Sequence, residues 1–321
     1  MKSEVFYAKI MLFGEYSVIC DSMALSIPYA HFTGELRFIN QEQYTQYELA
    51  LESNRYLMDF LKYLKDLQGE AGFLDKLDLE RFESDINNGL YFESNIPQGY
   101  GIGSSGALVA AVYDQYIVQS SKNRQILTGK EISNLKEVFS RMESYFHGVS
   151  SGFDPLLCYI RHPLLIRNKL QIEIVDIPGD KFGANSAIFL VDSGILGKTG
   201  PLVNLFLERC KKEDFLNQVR NVFIPANNGC IETLLKGDME PFFSHLAKLS
   251  AFQFIYLPEM IPSYMKSIWE SGLHRDDFKM KLCGSGGGGF LLGISRDFKL
   301  TRKYFHQNGL GLIPVFKNNK D

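Results

Sequence analysis

Gly99-Tyr100-Gly101-Ile102-Gly103-Ser104-Ser105-Gly106-Ala107 places four glycines and two serines directly ahead of an apolar run, Leu108-Val109-Ala110-Ala111-Val112. That composition suits phosphate chemistry. Glycines let the backbone take positive φ and approach a ligand with no Cβ in the way. A helix starting at the serines would turn unpaired N–H groups and the positive end of its dipole toward an anion. A second run, Lys281-Leu282-Cys283-Gly284-Ser285-Gly286-Gly287-Gly288-Gly289-Phe290-Leu291-Leu292, has five glycines among the six residues from Gly284 to Gly289. So many glycines cost folding entropy unless the backbone must come close to something there.

The elements that must position these loops follow from hydrophobic spacing. Residues 90–96 read as a strand ended by Pro97, and the all-round apolar segment 108–112 reads as a helix packed inside a core. Residues 5–13 and 24–27 read as strands joined by a turn near Asp21, with a further strand at 36–39. Residues 50–67 have helical spacing, with Leu51, Leu57, Phe60, Leu61 and Leu64 on one face. Residues 132–146 form a second amphipathic helix through Leu135, Val138, Phe139 and Met142; His147-Gly148 ends it, and a Ser/Gly loop follows up to Asp154. Strands are expected at 172–175, 186–192, 279–282 and 289–294, with mostly helix between 201 and 269. Helices and strands mixed around glycine loops predict an α+β protein, with a boundary in the Pro-, Arg- and Lys-bearing stretch 161–170.

Bulk properties narrow the function classes. The 321 residues suffice for one large domain or two ordinary ones. With 45% hydrophobic and 22% charged residues, the chain is globular rather than disordered. Net charge is −3 without a basic cluster, so no nucleic-acid partner is expected. The five cysteines, at 20, 158, 210, 230 and 283, form no C-x-x-C pair and read as reduced thiols. No signal core or long apolar run is present, so no membrane association is expected and the assignment is cytoplasmic.

Gly101-Ile102-Gly103-Ser104-Ser105-Gly106 matches G-x-G-x-x-G, but a dinucleotide fold needs an acid about 20 residues on, and the stretch 119–125 has none. Gly197-Lys198-Thr199 resembles the end of a Walker loop, yet its first glycine would fall at Asp192. No H-R-D or D-F-G of a protein kinase follows either.

Three segments, in order, resemble the three motifs of the GHMP kinase superfamily, which includes galactokinase, homoserine kinase, mevalonate kinase and phosphomevalonate kinase. Lys9-Ile10-Met11-Leu12-Phe13-Gly14-Glu15-Tyr16-Ser17-Val18-Ile19 resembles the first. Residues 97–107 resemble the second, P-x-G-x-G-L-G-S-S-A-A, and residues 281–290 the third, K-L-T-G-A-G-G-G-G. Within that superfamily, Glu143-Ser144-Tyr145-Phe146-His147-Gly148-Val149-Ser150-Ser151-Gly152-Phe153-Asp154 is most similar to the mevalonate kinase pattern E-x-x-x-H-G-x-x-S-G-x-D.

The resemblance implies an α+β, two-lobed GHMP kinase fold: an N-terminal S5-like lobe over 1–165 and a C-terminal ferredoxin-like lobe over 166–321, with nucleotide and substrate between them. It implies ATP and Mg²⁺ as cofactors and a small-molecule alcohol, mevalonate first, as substrate. Asp154 and Lys9 become the catalytic pair, Asp154 facing the substrate hydroxyl and Lys9 keeping it ionised. Ser105 and Glu143 become magnesium ligands, a sufficient protein share for an ion that keeps several waters. Pro97, Gly99, Gly101, Gly103, Ser104, Ser105, Gly106 and Ala107, with Gly284, Ser285, Gly286 and Gly287, are expected to hold the nucleotide. Glu15, Tyr16, His147, Ser151, Gly152 and Thr199 are expected near the substrate. A homodimer is left open.

The chain departs from the family pattern at four places. Tyr7-Ala8-Lys9 stands where P-G-K is usual, Tyr16 where mevalonate kinases have His, and Gly106 where Ala is usual. Tyr159-Ile160-Arg161-His162-Pro163 replaces a small-residue pair after Asp154. Two alternatives therefore stand beside a mevalonate kinase. One is a kinase of another small alcohol, such as phosphomevalonate, for which Arg161 and Lys198 are the available cations, homoserine or a sugar. The other is a ligand sensor of the same fold without catalysis.

Overall fold

The computed structural model describes residues 4–39, 47–68, 77–118, 127–168, 171–181, 183, 185–197 and 199–317. The chain divides into two compact units, each built from separated segments. The first comprises Met1–Lys9, Pro28–Pro97 and Gly103–His162; the second comprises Ile10–Ile27, Gln98–Ile102 and Pro163–Asp321.

Strand β1 (Phe6–Phe13) passes from the first unit into the second after Lys9, and β2 (Ala24–Phe38) returns. Strand β2 is one continuous strand where the sequence reads two short ones. Residues 24–26 pair with 164–166, and residues 34–38 pair with 90–94. Pro28 lies between these two stretches.

In the first unit, β2 pairs antiparallel with β3 (Leu90–Ser94), which packs against α1 (Tyr47–Gln68) and α2 (Leu79–Asn87). Helix α1 buries Leu57, Phe60, Leu61 and Leu64 of the predicted face, whereas Leu51 is only half-buried and Ala50 is buried instead. Helix α3 (Ser104–Tyr116) buries every residue from Gly106 to Val112 and lies against α2, α4 (Gly129–His147) and α5 (Phe153–Ile160). An apolar surface on all sides makes α3 the central helix of this unit, as its sequence demands. Helix α4 starts at a capping box. Thr128 Oγ accepts from the Glu131 amide, and the Glu131 carboxylate accepts from the Thr128 amide. It ends at Gly148 with φ 73°.

In the second unit, β4 (Leu164–Asn168) and β5 (Gln171–Ile174) form an antiparallel hairpin. Beyond it come β6 (Ala187–Asp192), α6 (Thr199–Cys210), α7 (Glu213–Gln218), a π-turn at Val219–Phe223 and α8 (Ile224–Lys236). Then follow α9 (Met239–Tyr256), α10 (Lys266–His274), β7 (Phe278–Leu282), β8 (Phe290–Ser295), α11 (Phe298–Gln307) and β9 (Ile313–Lys317). The sheet order is β7-β8-β6-β9, antiparallel throughout. Every residue of β8 is buried, which accounts for its unbroken apolar sequence. Helices α9 and α10 cover β7. The α+β class expected from the sequence is the class observed.

Among the described residues, no helix is long and apolar enough to cross a membrane.

Candidate active site

Helix α3 begins at Ser104, and Gly103 caps it in the left-handed region at φ 82°. A Cβ at Gly103 would lie 2.7 Å from Lys9 Cγ, so glycine is required both for the turn and for the lysine running past it. Lys9 is only 5% exposed, a burial that lysine accepts when its ammonium is paired. Its Nζ lies 3.0 Å from Asp154 Oδ2.

Asp154 does not sit in a loop, as the Asp-Pro pair suggests. It stands in the first turn of α5, where the missing N–H of Pro155 has no helical partner to lose. Gly106 explains how Asp154 comes so close to α3. A Cβ there would lie 2.9 Å from both the Asp154 carbonyl carbon and the Pro155 nitrogen. The glycine that departs from the family pattern is therefore the point at which the two helices touch backbone to backbone.

Ser105, on the first turn of α3, meets two side chains of α4. Its Oγ donates to Glu143 Oε1 at 3.1 Å and lies 3.0 Å from His147 Nε2. One hydroxyl carries one proton; with that proton on the Glu143 bond, Nε2–H of His147 is the donor in the second. Glu143 and His147 share a face because they are one helical turn apart. Glu143 is 3% exposed, and Ser150 donates to its other oxygen, Oε2. Burial foremost, and then the Asp154 charge, push the Glu143 carboxyl up to about 7, against the pull of Ser150, Ser105 and Lys9. The first unit thus gathers Lys9, Ser105, Glu143, His147 and Asp154 into one cluster in which two carboxylates face one ammonium.

Ser151 and Gly152 lie beside this cluster in a different role. Ser151 is exposed, and its Oγ accepts the Phe153 amide at 3.3 Å, at the start of α5. Gly152 presses against α4, where a Cβ would overlap the Lys136 carbonyl and the Ser140 amide nitrogen. Ser104 is half-buried at the first position of α3, and Ala107 donates its amide to the Gly103 carbonyl at 3.0 Å. Pro97 is half-buried beyond β3.

The other expected site residues belong to the second unit. The Gly99 carbonyl accepts the Gly197 amide at 3.3 Å, and Gly101 faces Gly284 of the third glycine segment. Residues 284–289 connect β7 to β8. A Cβ at Gly288 would lie 2.6 Å from the Ile195 carbonyl oxygen, so close backbone approach is the reason for glycine. The amides of Gly287 and Gly289 bind the carbonyls of Met260 and Ile195, both at 2.6 Å. Gly286 is buried against Met260.

Tyr16 donates its hydroxyl to the Ser285 carbonyl at 2.5 Å, and its ring lies 5.0 Å from that of Phe206. Burial and the adjacent Glu15 carboxylate raise its phenol well above the ordinary range. Glu15 forms an ion pair with Lys281 at 2.5 Å, with side-chain exposures of 2% and 0%. The first and third motifs are thereby joined by a buried charge pair and a tyrosine hydrogen bond. Thr199 opens α6; its side chain and all of Lys198 lie outside the described residues.

Sequence reasoning missed two residues here. Ser150 stands beside the motif serine with nothing in its type to distinguish it. Lys281 was read only as part of a glycine motif, and its partner is 266 positions away.

A family model for the GHMP kinases N terminal domain matches residues 56–161. No curated protein matches the chain. Among solved structures, the chain resembles L. major mevalonate kinase in complex with R-mevalonate, at 16% identity and a TM-score of 0.64 over 99% of this chain and 96% of that one. It resembles Streptococcus pneumoniae phosphomevalonate kinase at 14% identity and a TM-score of 0.61, over 97% and 98% of the two chains. For Lactococcus lactis galactokinase complexed with galactose, the values are 14%, 0.64, 99% and 94%. Residues 56–161 thus match the GHMP kinases N terminal domain, and the fold along the chain is similar to that of solved mevalonate kinases, a phosphomevalonate kinase and a galactokinase.

Proposed function

We propose that this chain is an ATP-dependent kinase that transfers the γ-phosphoryl group to the primary hydroxyl of mevalonate. The observation that carries the reading is the cluster of the first unit: Lys9 paired with Asp154 at 3.0 Å, beside Ser105 and Glu143 at the N-terminus of α3. Phosphoryl transfer demands positioning and charge neutralisation rather than covalent work by the protein, and this cluster has the parts for both. Asp154 accepts the proton of the hydroxyl, the alcohol oxygen bonds to the γ-phosphorus, and the bond to the β,γ-bridging oxygen breaks to release ADP. Lys9, 3.0 Å from Asp154, offsets charge as the alcohol oxygen loses its proton. The amides opening α3 face the phosphates.

The donor set fits Mg²⁺. Ser105 and Glu143 supply hard oxygen ligands at the helix N-terminus, and a carboxyl pushed up by burial and then by a second carboxylate is an environment that a divalent cation relieves. Bound there, the ion would neutralise phosphate charge.

Mevalonate is placed first because residues 143–154 are most similar to the mevalonate kinase pattern. Of the two cations a ligand phosphate could use, the Arg161 guanidinium is held 2.9 Å from Glu4 and stacks 4.5 Å over the Phe6 ring, and Lys198 lies outside the described residues. The test is ADP release with Mg²⁺ATP against mevalonate, phosphomevalonate, homoserine and galactose, with Asp154→Ala alongside. Turnover on mevalonate that falls by about 10²–10⁴-fold in the variant is expected. Turnover on another alcohol alone overturns the substrate; silence on all four with ATP still bound favours the sensor.

A further inference from the structure

We infer that Ser150, held in place by Ser140, is the positioning residue that fixes Glu143 for cation binding; the inference rests on the kinase reading above. Glu143 sits on α4 with its carboxylate buried, and each oxygen takes one serine hydroxyl. Ser105 holds Oε1 and Ser150 holds Oε2. The two hydroxyls differ in origin. Ser105 belongs to the helix that opens toward the anion, whereas Ser150 belongs to the short loop between α4 and α5.

That loop is held against α4 at two points, with one hydrogen bond inside the loop between them. Ser140 Oγ donates to the Ser150 carbonyl at 2.5 Å. The Gly152 amide donates to Ser150 Oγ at 3.1 Å, which directs the serine proton toward Glu143. Gly152 itself lies against the backbone of residues 136 and 140, with no room for a Cβ. Ser150 is therefore oriented by two hydrogen bonds before it donates its own.

The terminal torsion of glutamate is broad, so a carboxylate held at one oxygen only can turn away from a shared ligand position. The Ser150 bond removes that freedom and also supplies a donor to an oxygen that has left water. The neighbouring Ser151 cannot substitute, because it is exposed and its Oγ accepts the Phe153 amide.

The test compares Ser150→Ala, Ser150→Thr, which keeps the hydroxyl, and Ser140→Ala. Mn²⁺ binding in the presence of a non-hydrolysable ATP analogue is followed by electron paramagnetic resonance. The Mg²⁺ concentration giving half-maximal ATP turnover is measured in parallel. Loss of an outer partner of a metal ligand typically costs about 10–100-fold in metal affinity, and that weakening is expected for Ser150→Ala. Ser150→Thr is expected to stay within about threefold of wild type, and Ser140→Ala to lose about 2–10-fold, the value of one neutral hydrogen bond. A folded Ser150→Ala protein that binds Mn²⁺ as the wild type does overturns the inference and leaves the kinase reading intact. If Ser150→Ala fails to fold, an unchanged Mn²⁺ affinity in Ser140→Ala overturns it instead. A wild type that binds no Mn²⁺ with the analogue overturns both.

Discussion

At the scale of single residues, Glu143 concentrates the conflict between stability and function. Its carboxyl is buried near Asp154 and titrates near 7 instead of in the ordinary carboxylate range. A carboxyl whose folded-state value is raised stabilises the fold fully below its unfolded value of about 4.5, and that contribution is lost as pH rises through 7. Without a cation the protein should therefore be less stable at pH 8 than Glu143 alone would make it at pH 5. Glu143→Gln carries no charge at either pH. It should raise the thermal midpoint at pH 8, by about 2–4 °C for each kcal/mol relieved, and change it little at pH 5. Thermal unfolding of both proteins at the two pH values in EDTA checks this; an equal shift at both would show that the charge is not the cause. Nucleotide and Mg²⁺ together should narrow the gap at pH 8, because a bound cation favours the ionised carboxyl.

At the scale of elements, the contact between α3 and α5 sets where Asp154 stands. Gly106 permits backbone contact between the two helices, and Ala there would bring its Cβ to 2.9 Å from the α5 backbone. The family's usual alanine should therefore act here as overpacking. Gly106→Ala should cost about 1–3 kcal/mol in urea unfolding and should lower kcat more than the KM for ATP, since it displaces Asp154 and leaves the loop glycines intact. A variant as stable and active as wild type would show that α5 moves aside freely. The departure from the family pattern at this position is thus a local packing solution, and the residue that benefits is on another helix.

For the molecule as a whole, the buried Glu15–Lys281 pair does what neither motif can do alone. It joins the segment after β1 to the end of β7 within the second unit, across 266 positions of sequence. Removing one member of such a pair leaves the other charge uncompensated, which typically costs about 3–5 kcal/mol. Lys281→Met should destabilise by that order in chemical unfolding, and Glu15→Gln with Lys281→Met should recover part of the loss. If the double variant is no better than the single, the pair is not the source of the effect. Tyr16 adds a second tie to the same glycine segment, so the position where mevalonate kinases carry His is here engaged with the protein's own backbone.

What the sequence determined by itself is what local chemistry can encode. The glycines ahead of Ser104 announce a helix start, and the apolar run behind it announces a central helix. Thr128-Gly129-Lys130-Glu131 is a readable capping box, and His147-Gly148 a readable stop. Lys9, Ser105, Glu143 and Asp154 were singled out by the motif resemblance, and the fold gathers them into one cluster. Tertiary structure alone decided the rest. Ser150 and Ser151 are chemically alike and adjacent, and only the packing of Gly152 on α4 sends one hydroxyl to Glu143 and the other to the α5 backbone. Glu15 is expected near the substrate, and the fold pairs it with Lys281. Asp154-Pro155 reads as a turn until α3 supplies a surface on which α5 can form. Local patterns constrain a residue's neighbours in sequence, whereas the partner of a buried charge or hydroxyl is chosen by whichever distant segment excludes water from it.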